Sequence, residues 1–144
     1  MTPPLVRPPI GLRLTRTAHA VSQAFERAMA EAGGSASAWQ VLLLVRSGEW
    51  ATQTGLAKAM GVTGATVTHH LNALEAQGLV RRWREEANRR VQRVELTDDG
   101  AALFERLREV AIRHDARLRA RLSDAEAAQL AELLDKLEAG LESA

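Results

Sequence analysis

The sequence contains no cysteine, which excludes disulfide bonds and thiol redox chemistry. Tyrosine is also absent and aromatic residues make up only 3% of the chain, so the core must consist mainly of Leu, Val and Ala. The four prolines all lie within the first nine residues, and the rest of the chain is free to form helices. No apolar run approaches the roughly 20 residues that span a membrane, and the N-terminus lacks the apolar segment of a signal peptide. We therefore expect a cytoplasmic protein with no membrane partner.

Charge is distributed unevenly along the chain, whose 144 residues suit one compact subunit. The net charge of +1 is uninformative by itself. Residues 81–93, however, carry six arginines against two glutamates, and residues 123–144 carry six acids against one lysine. A basic centre favours contact with a polyanion, and an acidic tail favours solvent or a protein partner. For the basic segment, the alternative is a solvated charge run.

Helical periodicity marks both ends of the chain. Apolar residues at three- and four-residue steps predict a first helix over residues 10–32, which ends before a Gly-Gly pair. A capping-box match at Ser37 predicts that a second helix begins near Ala38. After residue 97 the same periodicity predicts a long fifth helix, and a second capping box at residues 123–126 opens a sixth.

The central segment, residues 51–100, joins two short helices to a basic hairpin. Two helices that meet at a three-residue turn form a helix-turn-helix, and the hairpin after them forms a β wing. This order places a second helix and a basic arm together, as a DNA-binding surface requires. The predicted elements are helices over 53–60 and 64–77, strands over 79–83 and 91–96, and a polar tip over 84–90.

The same segment resembles the multiple-antibiotic-resistance-regulator (MarR) family of winged-helix transcription factors. The wing signature of that family is Asp-x-Arg, five residues, then Leu-Thr-x-x-Gly. Here Asn-Arg-Arg at 88–90 is followed, after five residues, by Leu-Thr-Asp-Asp-Gly at 96–100, so that only the first position departs. The upstream residues that match the family are Leu56-Ala57, Val62-Thr63, Thr66-Val67-Thr68, Leu71, Leu74-Glu75 and Gly78-Leu79-Val80-x-Arg82.

We expect DNA contacts on the second helix of the helix-turn-helix and on the wing. Hydroxyl groups at a helix N-terminus can bind phosphates or base edges. The resemblance places Arg90 where the family's wing arginine enters the minor groove, and it assigns Asn88 to wing support. Gly64 departs from the larger residue that the family often carries there. The predicted DNA-binding residues are Thr63, Thr66, Thr68, His69, His70, Arg82, Arg84, Arg89 and Arg90.

Each of these assignments has a simpler structural alternative. Thr63 can be a plain N-cap, a role that is compatible with a DNA contact. His70 can face the protein while His69 faces DNA. The wing arginines can be merely solvated.

The resemblance also implies a cleft for a small amphipathic or aromatic ligand between the DNA-binding lobe and the dimerisation helices. We assign His19, Trp39 and Leu43 to this pocket, with ordinary packing as the alternative. The four histidines lie in three separate segments with no ligand-like spacing, so we expect no metal and no cofactor. No nucleophile–base arrangement or phosphate-cradling glycine loop supports catalysis, and we expect no enzyme activity.

Helices one, five and six carry apolar stripes that a core of this size hardly needs. We expect them to interlock with the same helices of a second chain, with a closed six-helix monomer as the alternative. The predicted interface residues are Val21, Phe25, Leu118, Leu130, Leu134, Leu137 and Leu141.

The predicted fold is mainly α with a small β wing. A single subunit, residues 1–144, holds a winged helix-turn-helix lobe at 35–100, flanked by dimerisation helices at 10–32 and 101–142. We expect a sequence-specific transcriptional regulator, a ligand-responsive repressor that binds a pseudo-palindromic operator in double-stranded DNA as a homodimer. The alternatives are a ligand-independent or architectural DNA-binding protein, and a winged-helix module that binds proteins.

Overall fold

A computed structural model describes residue 2 and residues 9–48 and 52–142. Within these residues the chain forms six helices and one antiparallel pair of strands, which confirms the mainly α fold with a small wing. In chain order the elements are α1 (Ile10–Glu31), α2 (Ala36–Ser47), α3 (Gln53–Met60), α4 (Gly64–Ala76), β1 (Val80–Arg84), β2 (Gln92–Leu96), α5 (Asp98–Arg119) and α6 (Asp124–Glu142).

Helix α2 begins two residues earlier than the sequence pattern predicts. Its N-cap is Ser35, which has an extended backbone. Ser35 Oγ accepts a hydrogen bond from the Ala38 amide at 3.0 Å. The Glu26 carboxylate also accepts the Ala36 amide, at 3.2 and 3.3 Å. The predicted cap at Ser37 is therefore wrong, because a side chain from α1 helps to satisfy the first turn.

The helix-turn-helix is built around a tight turn at Gly61. Gly61 has a left-handed backbone (φ 67°), and the Val62 amide reaches back to the Ala57 carbonyl at 3.1 Å. This arrangement satisfies the last carbonyls of α3 where a residue with a Cβ would be strained. Thr63 then caps α4. The buried side chains beneath these helices are Met29, Val41, Leu42, Val45, Leu56, Val67, Leu71 and Leu74.

The wing pairs β1 with β2 in a register that runs from Val80 opposite Leu96 to Arg84 opposite Gln92. Alternate residues of a strand share a face, so Val80, Arg82 and Arg84 lie on one face of β1. Val80 and Val94 are buried, which identifies this face as the one that packs on the lobe. Arg82 belongs to this face, so its side chain leaves the strand on the side of the wing that packs on the lobe.

The chain divides into two compact units, Met1–Val110 and Ala111–Ala144. The division falls inside α5. No described residue of α6 is buried within the single chain, and its leucines are 37–80% exposed. Of the predicted interface residues, Val21 and Phe25 are half-buried, whereas Leu118 and the leucines of α6 are exposed. Over the described ranges, no helix is both long enough and apolar enough to span a membrane.

Candidate nucleic-acid interface

The N-terminus of α4 is organised by two threonines. Thr63 Oγ1 accepts a hydrogen bond from the Thr66 amide at 3.2 Å and lies 3.0 Å from Thr66 Oγ1. Thr63 is exposed and Thr66 is half-buried. The capping role of Thr63 is therefore present, and it leaves the exposed hydroxyl near the free amides of the first turn, where an anion is favoured. The predicted DNA contacts of both residues stay predictions.

Thr68 is occupied inside the protein. Its hydroxyl donates to the Gly64 carbonyl at 2.9 Å and accepts from Gln53 Nε2 at 2.5 Å. The donor capacity of the hydroxyl is used, so a DNA contact there could only use the remaining lone pair as an acceptor. Gln53, the first residue of α3, thereby links α3 to α4. No local pattern in the sequence indicates that contact, because the two residues are fifteen positions apart.

The two histidines of α4 differ in exposure. His69 is exposed and His70 is half-buried, and their rings are tilted by 57° with centroids 5.8 Å apart. Consecutive helix residues point about 100° apart, so only one of them can lie on the outermost line of α4. The exposure favours His69 as the residue that is available to DNA.

Most arginines of the wing are already engaged. Arg81 forms an ion pair with Glu95 at 2.7 Å, and Arg93 pairs with Glu85. Arg84 Nη1 donates to the Arg89 carbonyl at 2.9 Å and so holds the tip of the hairpin. The predicted DNA contact of Arg84 stays a prediction, and the structure gives its side chain a role within the wing.

Arg89 and Arg90 are the exception. Both are exposed at the tip, and neither side chain has an ion pair or a side-chain hydrogen bond to another described residue. Asn88 Oδ1 accepts the Arg90 amide at 3.2 Å, and the Asn88 carbonyl accepts the Val91 amide at 3.0 Å. Asn88 thus supports the wing through the backbone of Arg90. The two guanidinium groups remain available for phosphates or a minor groove.

Arg82 differs from the other wing arginines, because its side chain is only 11% exposed. Its guanidinium lies against α4, where Nη2 donates to Glu75 Oε1 at 3.1 Å and to Asn72 Oδ1 at 2.5 Å, and Nε donates to Glu75 Oε2 at 3.4 Å. These hydrogen bonds hold the pKa of the Glu75 carboxyl below its ordinary value of 4.5, against an opposing effect of desolvation. The DNA contact predicted for Arg82 stays a prediction.

The three residues assigned to a ligand pocket have different surroundings. Trp39 stacks on Phe104 with ring centroids 5.5 Å apart and an interplanar angle of 10°, whereas His19 and Leu43 are exposed. Trp39 is thus packed within the lobe. A cavity of about 200 Å³ is lined by other residues, namely Gly33, Gly34, Ser35, Ala38, Leu74, Gln77, Leu79 and Leu103.

No group of three or more His, Asp or Glu side chains placed to hold a metal ion occurs in the part of the chain that the structure describes. Hydrogen bonds, ion pairs and packing on the lobe position several of the residues predicted to bind DNA. Caps and partners within the protein position Thr63, Thr66, Thr68 and Arg82, while His69, Arg89 and Arg90 are exposed.

Comparisons with known proteins agree with this geometry. A family model described as the MarR family matches residues 35–91. The chain is 30% identical to a putative transcriptional regulatory protein for the hcr operon of Thauera aromatica, over 89% of this chain and 78% of that protein. Its fold matches the transcriptional repressor CouR bound to a 23-mer DNA duplex with a TM-score of 0.81 and 29% identity, over 90% of this chain and 92% of that one. It also matches CouR from Rhodococcus jostii RHA1 bound to p-coumaroyl-CoA, with a TM-score of 0.74 and 25% identity over 89% and 90% of the two chains.

Proposed function

Since the chain belongs to the MarR family of DNA-binding transcriptional regulators, we propose that it acts as a repressor that binds a pseudo-palindromic operator as a homodimer. The observation that carries this proposal is the unpaired charge at the wing tip. Four of the six arginines between positions 81 and 93 are engaged within the protein, while Arg89 and Arg90 are exposed on a hairpin that follows α4 and have no side-chain partner among the described residues. Exposed guanidinium groups next to a helix-turn-helix suit a phosphate backbone and a narrow minor groove.

The homodimer is supported by the exposed leucines of α6. Leu130, Leu133, Leu134 and Leu137 recur at three- and four-residue steps and are 37–48% exposed. A continuous apolar stripe on an exposed helix marks an interaction surface. A second copy of this chain offers the same stripe, and two-fold assembly would set two copies of α4 against two half-sites of an operator.

A small amphipathic or aromatic ligand would regulate this binding. The support is the likeness to a regulator whose structure holds p-coumaroyl-CoA, a ligand with an aromatic end and a polar end. The ligand would act by favouring a dimer geometry whose two recognition helices no longer match the half-site spacing. His19, Trp39 and Leu43 remain our proposed lining. We further propose that the protein works in the cytoplasm and has no catalytic activity of its own.

The test is titration of fluorescent DNA with the purified protein, using fragments from the regions that flank its own gene and a scrambled control. We expect tight binding to one flanking fragment, weaker binding to scrambled DNA, and a steep loss of affinity between low and physiological salt. Footprinting should show two half-sites about one helical turn apart. Equal affinity for every fragment would support an architectural DNA-binding protein, and no affinity for any would support a protein-interaction module.

A further inference from the structure

Arg82 is half-buried and is the least exposed of the six arginines between positions 81 and 93: its side chain is 11% exposed, against 41% for Arg93, and the other four are exposed. The register of the sheet puts Arg82 on the face of β1 that also carries the buried Val80, opposite the buried Val94. A guanidinium on an inward face loses hydration, which is tolerated only where the charge is paired and hydrogen-bonded. Glu75 and Asn72 of α4 supply the charge and the hydrogen-bond acceptors, so Arg82 lies at the contact between the wing and α4, the second helix of the helix-turn-helix.

The contacts of Arg82 reach two side chains on α4 that are three residues apart. Glu75 receives the guanidinium at both carboxylate oxygens, at 3.1 and 3.4 Å, and Asn72 receives it at Oδ1, at 2.5 Å. A planar fork that binds a carboxylate at both oxygens restricts rotation as well as distance. This clamp, Arg82 with Asn72 and Glu75, therefore constrains how α4 is rotated relative to the wing.

The clamp also orients the amide of Asn72. Because Oδ1 faces the guanidinium, which can only donate, the Nδ2 group is turned the other way. Asn72 is exposed, so its two Nδ2–H donors are presented on the side away from Arg82. Donors of this kind suit phosphate oxygens and the acceptor edges of guanine, adenine and thymine in the major groove.

We propose that Arg82 is a positioning residue for operator recognition, which acts through Glu75 and Asn72 and does not itself neutralise a phosphate. The proposal rests on the proposed operator binding. A positioning role differs from a phosphate contact in a measurable way. A phosphate contact strengthens binding to any DNA sequence, whereas the orientation of α4 matters only where bases are read.

The salt dependence of DNA binding separates the two roles. Each phosphate contact contributes about 0.9 to the slope of log affinity against log salt, so a phosphate-binding Arg82 would contribute about 2 per dimer. We expect Arg82→Gln to lower affinity for the operator on the order of tenfold, the size of coupling within side-chain networks, with an unchanged salt slope. Affinity for scrambled DNA should remain within about twofold of the wild type. Arg90→Gln is the matched control, and it should reduce the slope and weaken both DNAs.

Two further variants keep the test decisive if Arg82→Gln folds poorly. Glu75→Gln removes a negative charge from α4, which raises affinity for all DNA under either role, so the readout is the ratio of operator affinity to scrambled-DNA affinity. A phosphate-binding Arg82 predicts an unchanged ratio, whereas a broken clamp predicts a lower ratio. Arg82→Lys keeps the charge and loses the fork, so a phosphate role predicts near-normal binding and a positioning role predicts a loss similar to that of Arg82→Gln.

A double-variant cycle completes the experiment. If Arg82 acts through Glu75, the Arg82→Gln/Glu75→Gln pair should bind the operator about as well as either single variant. Additive losses, a slope reduced by about 2, or equal losses on operator and scrambled DNA would overturn the proposal. These outcomes require that the wild type binds the operator more tightly than scrambled DNA. Equal wild-type affinity for the two DNAs would instead reject the proposed function.

Discussion

A Cβ atom on Gly100 would lie 1.9 Å from the carbonyl oxygen of Leu79. The same carbonyl accepts the Thr97 amide at 3.1 Å, and Thr97 Oγ1 donates to the Gly78 carbonyl at 2.6 Å. Thr97 Oγ1 also accepts the Gly100 amide at 3.0 Å, which caps α5. The Leu-Thr-x-x-Gly motif therefore joins the end of α4, the start of β1 and the first turn of α5, and its glycine is required by packing.

Gly100→Ala should destabilise the protein by about 1–3 kcal/mol or more, because the obstacle is backbone, which cannot rotate away as a side chain can. Urea denaturation followed by circular dichroism measures this change. Gly140→Ala is the matched control, since a Cβ there meets nothing within 4 Å and lies inside a helix. We expect it to stabilise the protein by about 0.5–1 kcal/mol. Equal stability of the two variants would contradict the packing requirement.

Arg90→Ala should weaken DNA binding without unfolding the protein. The side chain is exposed and unpaired among the described residues, so stability should change by no more than about 0.5 kcal/mol. Each lost groove or phosphate contact should cost about 1–3 kcal/mol, and a dimer loses it twice. Paired melting curves and DNA titrations give both quantities. Arg81→Ala, which removes an arginine already paired with Glu95, should weaken binding less. Unchanged affinity in Arg90→Ala would mean that α4 alone holds the DNA.

Asn88→Ala should loosen the wing tip and weaken DNA binding less than Arg90→Ala does. The variant removes the acceptor of the Arg90 amide and leaves the backbone bond from Val91 to the Asn88 carbonyl in place. Faster hydrogen exchange of the Arg90 amide would report the loosening directly. Asn88→Asp keeps the acceptor and is expected to preserve the protection of that amide. Full protection in Asn88→Ala would show that the side chain does not hold the turn.

Replacement of Leu134 or Leu137 by Glu should disrupt the dimer and lower its stability together. Both leucines are more than a third exposed in the single chain, which leaves their apolar surface for a partner. An interlocked interface should bury more than roughly 2,000 Å² in total. Sedimentation analysis at micromolar concentration measures the assembly, with Glu138→Gln on the same helix as the control. A wild-type protein that sediments as a stable monomer would contradict the dimer proposal.

The ion pair of Glu75 should make part of the stability depend on pH. Hydrogen bonds from Arg82 lower the pKa of the Glu75 carboxyl in the folded protein, so folding favours the ionised form. The resulting contribution to the free energy of unfolding is fully present when the pH is above 4.5, the ordinary pKa of the carboxyl. It is lost as the pH falls through the lowered pKa of the folded state. The wild type should therefore exceed Glu75→Gln in stability at neutral pH, and this difference should shrink in acid. A difference that is constant with pH would contradict the pair.

Much of the local structure could be predicted from the sequence, because neighbours in the chain decide it. Thr63 caps α4 as predicted, and the capping box at the start of α6 forms in both directions, with Ser123 and Glu126 exchanging hydrogen bonds at 2.9 and 3.1 Å. Gly61 ends α3 with a left-handed backbone. The spacing of the wing motif likewise predicted the family and the order of elements. Each of these features depends on residues within a few positions of one another.

The tertiary structure decided which of the predicted DNA-binding side chains are free. The sequence presents six arginines between positions 81 and 93 as one basic patch, but their partners come from different elements. Arg82 meets Asn72 and Glu75 because the strand register turns it towards α4, while Arg89 and Arg90 lie at the exposed tip and have no side-chain partner among the described residues. Composition and periodicity determine which residues form an element and which residue types it carries. The pairing of a charge depends on distances across elements, which only the packed fold determines.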